Sequence, residues 1–178
     1  MDKPKFEILH TASELAHPGY GGWLFDTWAS LNIDYFESNL EPIAVIWGRI
    51  GRTCRLSHFD PGMGRVTLHT SLLSPLTTNG YQYQILDPRL AQDALLHAMM
   101  HQAIYQGLGH DGSARSRQTA HNNQAWIAEV KRIAPLLGHS VNACSMLEQE
   151  TPDRQVLADW PYTARSPTYY SSRVRTLY

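Results

Sequence analysis

Apolar residues Leu24, Trp28, Leu31 and Tyr35 recur at spacings of four, three and four, which is the period of one helix face. They predict an amphipathic helix from Gly22 to about Leu40, with Trp23, Phe25 and Phe36 widening its buried stripe. The period changes at Pro42-Ile-Ala-Val-Ile-Trp47, a short β-prone run that Gly48 and Gly51 end. Thr53–His58 is expected to pair with this run. Asp60-Pro-Gly-Met-Gly64 signals a turn, since Asp bonds the backbone just ahead of it and Gly tolerates positive φ. Arg65–His69 then alternates like a half-buried strand. Together these segments predict a small, mostly antiparallel sheet. Residues 71–86, with Pro75 and Asn79-Gly80, read as a surface loop, and residues 1–20 as a lead-in segment with room for a short helix.

Asp87-Pro88 marks a helix start. Asp accepts from the free N–H groups of a first turn, and Pro at the first helical position loses no bond. The helix is expected to run through Leu90, Ala91, Ala94, Leu95, Ala98, His101 and Ile104 and to stop at Gly107 or Gly109. Its apolar positions predict burial. Residues 107–121 form a loop by composition, and Asn122 or Asn123 is expected to cap a last helix. Trp126, Ile127, Val130 and Ile133 make that helix's apolar face, and Pro135 and Gly138 end it. The last 28 residues hold four Arg, two Asp, Trp160, Tyr162, Tyr169, Tyr170 and Tyr178 without periodicity. The expected plan is a lead-in (1–20), one α+β domain (21–140) and an Arg/Tyr-rich extension (141–178) packed on or near it.

Composition narrows the class. A chain of 178 residues, 43% hydrophobic and 17% charged, suits one globular domain with a core. With 15 basic and 16 acidic side chains the formal net charge is −1, so affinity for DNA would need a local patch. The sequence has no apolar run of membrane-spanning length, and Met-Asp-Lys-Pro-Lys leads into no signal-peptide segment. The expected location is cytoplasmic, with no membrane partner. Cys54 and Cys144 form neither a CxxC knuckle nor a disulfide framework.

The chemistry concentrates at His97-Ala-Met-Met-His101. Two residues four apart on a helix lie about 40° apart around the axis and roughly 6 Å along it. Both rings can therefore face one point, as the histidines of an H-E-x-x-H motif face zinc. Two buried neutral imidazoles need a strong shared partner, and zinc would supply it with a third protein ligand and water in the fourth position. His121, 20 residues after His101 at a loop–helix junction, is the favoured third ligand; His110, in the glycine-rich loop, competes for the place. His10, His17, His58, His69 and His139 have no such spacing. Tyr105, one turn beyond His101, is a candidate oxyanion stabiliser or else a packed helix residue. Asp111, Arg115 and Arg117 either shape the loop beside His121 or are solvated.

Leu95-Leu-His-Ala-Met-Met-His101, a Gly-rich loop and His121-Asn-Asn-Gln-Ala-Trp126 resemble the SprT-like zinc metalloprotease family. Its pattern is close to L-L-H-E-M-x-H followed, after a loop, by H-x-x-x-[FW]; here the second spacing is one residue longer. Tyr35-Phe36 to Leu40 and the Ile-Ala-Val-Ile-Trp47 run resemble the family's opening, so the similarity spans about residues 20–140. The resemblance implies a zincin-like α+β fold, zinc on His97, His101 and His121, and endopeptidase activity on protein or peptide substrates. It also places Ala98 where the family has its general-base Glu. That Glu takes a proton from water and passes it to the leaving amine, which a methyl group cannot do. The expectation is a chain that keeps zinc and cleaves very slowly or not at all. An inactivated form of a protease, with Glu exchanged for Ala, is favoured over a naturally non-catalytic binding module. Selective cleavage of a partner, for example one from the same operon, is favoured over DNA-associated repair proteolysis, since the charge is balanced and no Cys-based zinc finger follows.

Overall fold

The computed structural model describes residues 3–51, 56–75, 83–107, 124–137 and 160–161. Their order is α1 (Lys3–Ala16), α2 (Gly21–Phe36), β1 (Ala44–Gly48), β2 (Ser57–Asp60), β3 (Arg65–His69), a 3-10 turn (Thr70–Leu72), β4 (Leu73–Pro75), β5 (Tyr83–Ile85), α3 (Pro88–Tyr105) and α4 (Gln124–Ile133). The chain is mixed α and β, as expected. It divides into two compact units at Met99–Met100, inside α3.

In the first unit, α2 carries the predicted face: Leu24, Phe25, Trp28 and Phe36 are buried. The helix stops at Phe36, short of Leu40, because Glu37 and Ser38 take left-handed conformations (φ 53° and 62°). Ser38 N–H donates back to the Asn32 carbonyl at 2.9 Å. The buried Asn32 side chain then fastens the exit, accepting from Leu40 N–H at 3.1 Å and donating to the Leu40 carbonyl at 3.2 Å. Residues 3–16 form a full helix rather than a loose lead-in. α1 packs on α2, and both pack on β1. Its polar residues make the joint: Ser13 Oγ donates to the Val45 carbonyl at 2.8 Å, and Glu14 accepts from Gly19 N–H at 2.6 Å and Gly22 N–H at 2.7 Å. Ile8 and Leu15 face outward, 67% and 77% exposed.

The sheet differs from expectation in its pairing. β3 is the middle strand, parallel to β1 and antiparallel to β2, with Val45 opposite Val66 and Phe59 opposite Val66 on the other side. Residues 57–60 therefore pair with β3 and not with β1. Val66, Thr67 and Leu68 are consecutively buried, so β3 is covered on both faces and does not show the half-buried alternation expected of it. The β2–β3 turn is as predicted: Asp60 Oδ1 accepts from Gly62 and Met63 N–H at 3.0 and 3.1 Å, and Gly64 has φ +57°. Within residues 71–86, read as a loop, β4 and β5 form an antiparallel pair with Leu73 opposite Ile85.

α3 begins as expected, with Asp87 Oδ1 accepting from Arg89 and Leu90 N–H at 3.1 Å each. It ends before Gly107, whose φ is +75°. In the second unit, α4 buries Ala125, Trp126, Glu129, Val130 and Ile133. Glu129 is neutralised by an ion pair with Arg132 one turn on. The predicted cap at Asn122 or Asn123 lies outside the described residues. So does most of the 141–178 extension, of which Trp160 is buried.

Candidate metal centre

α3 is an 18-residue helix whose described side chains from Leu90 to Ile104 are almost all buried. His97 is 5% exposed, and Ala98 is fully buried beside it. His101 is half-buried, and its ring stacks on the indole of Trp126, with centroids 4.5 Å apart and planes 24° from parallel. Stacking engages the faces of an imidazole and leaves its nitrogens at the edge, so it fixes the ring's orientation without using a metal-binding lone pair. Tyr105 is half-buried in the last turn of α3.

His97 and His101 are one turn apart on one continuous helix, and both are the donor type that zinc takes. His121 and its competitor His110 lie outside the described residues, as do Asp111, Arg115, Arg117, Cys54 and Cys144. Among the described residues, no group of three or more His, Cys, Asp or Glu side chains is arranged to hold a metal.

The remaining described histidines have local partners or positions of their own. His10 Nε2 lies 3.2 Å from Asp26 Oδ1. His69 Nδ1 accepts from Ser71 N–H at 3.0 Å and caps the 3-10 turn; burial, then the Arg49 charge, lowers its pKa below the ordinary imidazole value. Burial likewise lowers the pKa of His17, against a hydrogen bond to the Trp47 backbone that raises it. His58 is exposed on β2. Trp126, against His101, was not singled out by sequence reasoning as part of the site. Trp126 had a signal, the aromatic position of the H-x-x-x-[FW] segment.

No protein-family profile, no curated protein and no solved structure matches the chain. No helix among the described residues is long and apolar enough to cross a membrane.

Proposed function

We propose that the chain is a SprT-like zinc endopeptidase domain for protein substrates, in a form that Ala98 makes catalytically silent. The observation that carries the reading is the histidine pair on α3: His97 is buried, and His101 is oriented by the face of Trp126. His97 and His101 would hold zinc together with His121. Zinc, when bound, supplies a Lewis acid that acidifies water and polarises a peptide carbonyl. Ala98 has no atom that accepts a proton, so the chain lacks the group that would relay one from water to the leaving amine. A substrate is bound and left intact. The near-neutral charge of −1 favours a protein partner, such as one encoded in the same operon, over DNA-associated repair proteolysis.

The experiment has two arms. Purified chain is assayed for zinc by atomic emission, alone and as His97→Ala, His101→Ala and His121→Ala; one equivalent that each substitution removes is expected. Zinc content indifferent to all three substitutions overturns the reading. Ala98→Glu, zinc-loaded, is then incubated with casein and with a protein encoded in the same operon. It is expected to cleave at about 10² to 10⁴ times the rate of the unsubstituted chain. The second reading, a zinc-stabilised binding module without catalysis, draws on the complete burial of the Ala98 methyl group. It prevails if Ala98→Glu folds, holds zinc and cuts neither protein.

A further inference from the structure

We propose that the outer face of α1 is a docking surface for an amphipathic helix of a partner protein, one whose apolar stripe is flanked by Lys or Arg. The surface lies wholly in the first unit and does not depend on zinc. α1 is held from behind: Ser13 Oγ donates to the Val45 carbonyl, and Phe6 packs edge-on against Phe25 with centroids 4.9 Å apart. The face turned away from these contacts is not the polar one that a surface helix ordinarily shows. It carries Pro4, Ile8, Ala12 and Leu15 together with Glu7 and Thr11, and these six line an open depression of about 520 Å³.

Isolated apolar residues on a surface are ordinary, but a contiguous patch marks an interaction site. Ile8 is 67% and Leu15 77% exposed. Seven residues is close to two full turns, so the two side chains stand on one line along the helix. Thr11 and Ala12, both exposed, are short and form a waist between them. That relief suits another helix, because side chains form ridges and the ridge of one helix seats in the gap of the next. From Pro4 to Leu15 the face extends roughly 16 Å, about three turns of a docked helix. A large apolar side chain over Thr11 and Ala12, held between Ile8 and Leu15, is the central contact.

Charge selects the occupant. Glu7 and Glu14, also seven apart, run along one edge of the face, and Lys5 is on the other. The Glu14 oxygens accept from Gly19 and Gly22 N–H, which favours the ionised carboxylate. A second copy of α1 docked antiparallel about Thr11 and Ala12 would set its own Glu14 against Glu7, and like charges so placed repel. A helix with Lys or Arg on the flank that meets this edge turns the same contact into attraction. The chain's net charge of −1 exerts little long-range pull, so the discrimination is local.

The test uses the full chain, ¹⁵N-labelled, and two synthetic peptides of about 18 residues, long enough to be helical in water. Both have Leu at the a and d positions of a heptad; one has Lys on both flanks and the other Glu. The Lys peptide is expected to bind and to shift amide signals of α1. The Glu peptide is expected to bind about 2- to 10-fold more weakly. Leu15→Asn, at an exposed position, is expected to keep the melting temperature and to weaken the Lys peptide about 10-fold. Glu7→Lys is expected to remove the preference for the Lys peptide. Failure of both peptides to bind, equal binding of the two, signal shifts that avoid α1, or unchanged binding to Leu15→Asn overturns the proposal. So does sedimentation in which the chain alone forms dimers that Leu15→Asn dissolves, since the face then belongs to a second copy. Titrations of zinc-loaded and EDTA-treated chain are expected to agree, so the docking surface and the zinc reading stand or fall separately.

Discussion

Trp126→Ala is the perturbation that most directly probes how the second unit organises its histidine. Trp126 is 1% exposed, so truncation removes a whole buried indole. Such changes cost about 3–5 kcal/mol in transfer and cavity terms. Within that sum, the stack on His101, at 4.5 Å and 24°, accounts for roughly 0.5–1.5 kcal/mol. Trp126→Phe keeps a ring able to lie against His101 and should lose much less. Urea unfolding followed by far-UV circular dichroism measures the stability difference. If His101 is a zinc ligand as proposed, zinc affinity measures whether it still points where it should, and a loss of about 10- to 100-fold is expected for Ala. A stability loss under about 1 kcal/mol for Trp126→Ala would place the indole outside the core. Equal zinc affinities for the Ala and Phe variants would show that the stack does not orient His101.

Glu14 provides a pH-dependent counterpart in the first unit. The Gly19 and Gly22 N–H groups, the first the larger cause, hold its pKa below the ordinary carboxylate value of 4.5. A depressed folded-state pKa gives stability that is present above the unfolded value and is lost as pH falls through the folded one. Denaturation midpoints of Glu14→Gln and the unsubstituted chain should therefore differ at neutral pH and converge in acid. Gly21→Ala should destabilise by about 1–3 kcal/mol or more, because the new Cβ would overlap the Ser13 carbonyl oxygen. Thermal melts of that variant check how closely α1 is held to the start of α2.

Legibility in the sequence followed the locality of each signal. α2, α3 and β1 could be read because their apolar spacing, the Asp87-Pro88 start and the Gly107 stop act within a few residues. α1 was harder, since its hydropathy runs against its burial: Ser13 lies inside and holds β1, whereas Ile8 and Leu15 face water. The pairing of β2 was not accessible, because which strand lies in the middle is a property of the assembled sheet. Consecutive burial of Val66, Thr67 and Leu68 is the outcome of that choice. β4 and β5 are three residues each, too short to impose a period on a turn-rich segment. At the candidate site, the helical spacing of His97 and His101 was plain, while the aromatic face behind His101 required two distant segments to meet.

The strand order also bears on how the chain emerges from the ribosome. β1 and β2 pair with β3, not with each other, and β3 is the last of the three to be synthesised. At about 5–20 residues per second, both earlier strands wait without their sheet partner until Arg65–His69 clears the exit tunnel. α1 and α2, which pack on each other, can associate during that interval and cover one side of β1 before its edge is paired. Formation of the three-stranded sheet is thus timed by a single five-residue strand.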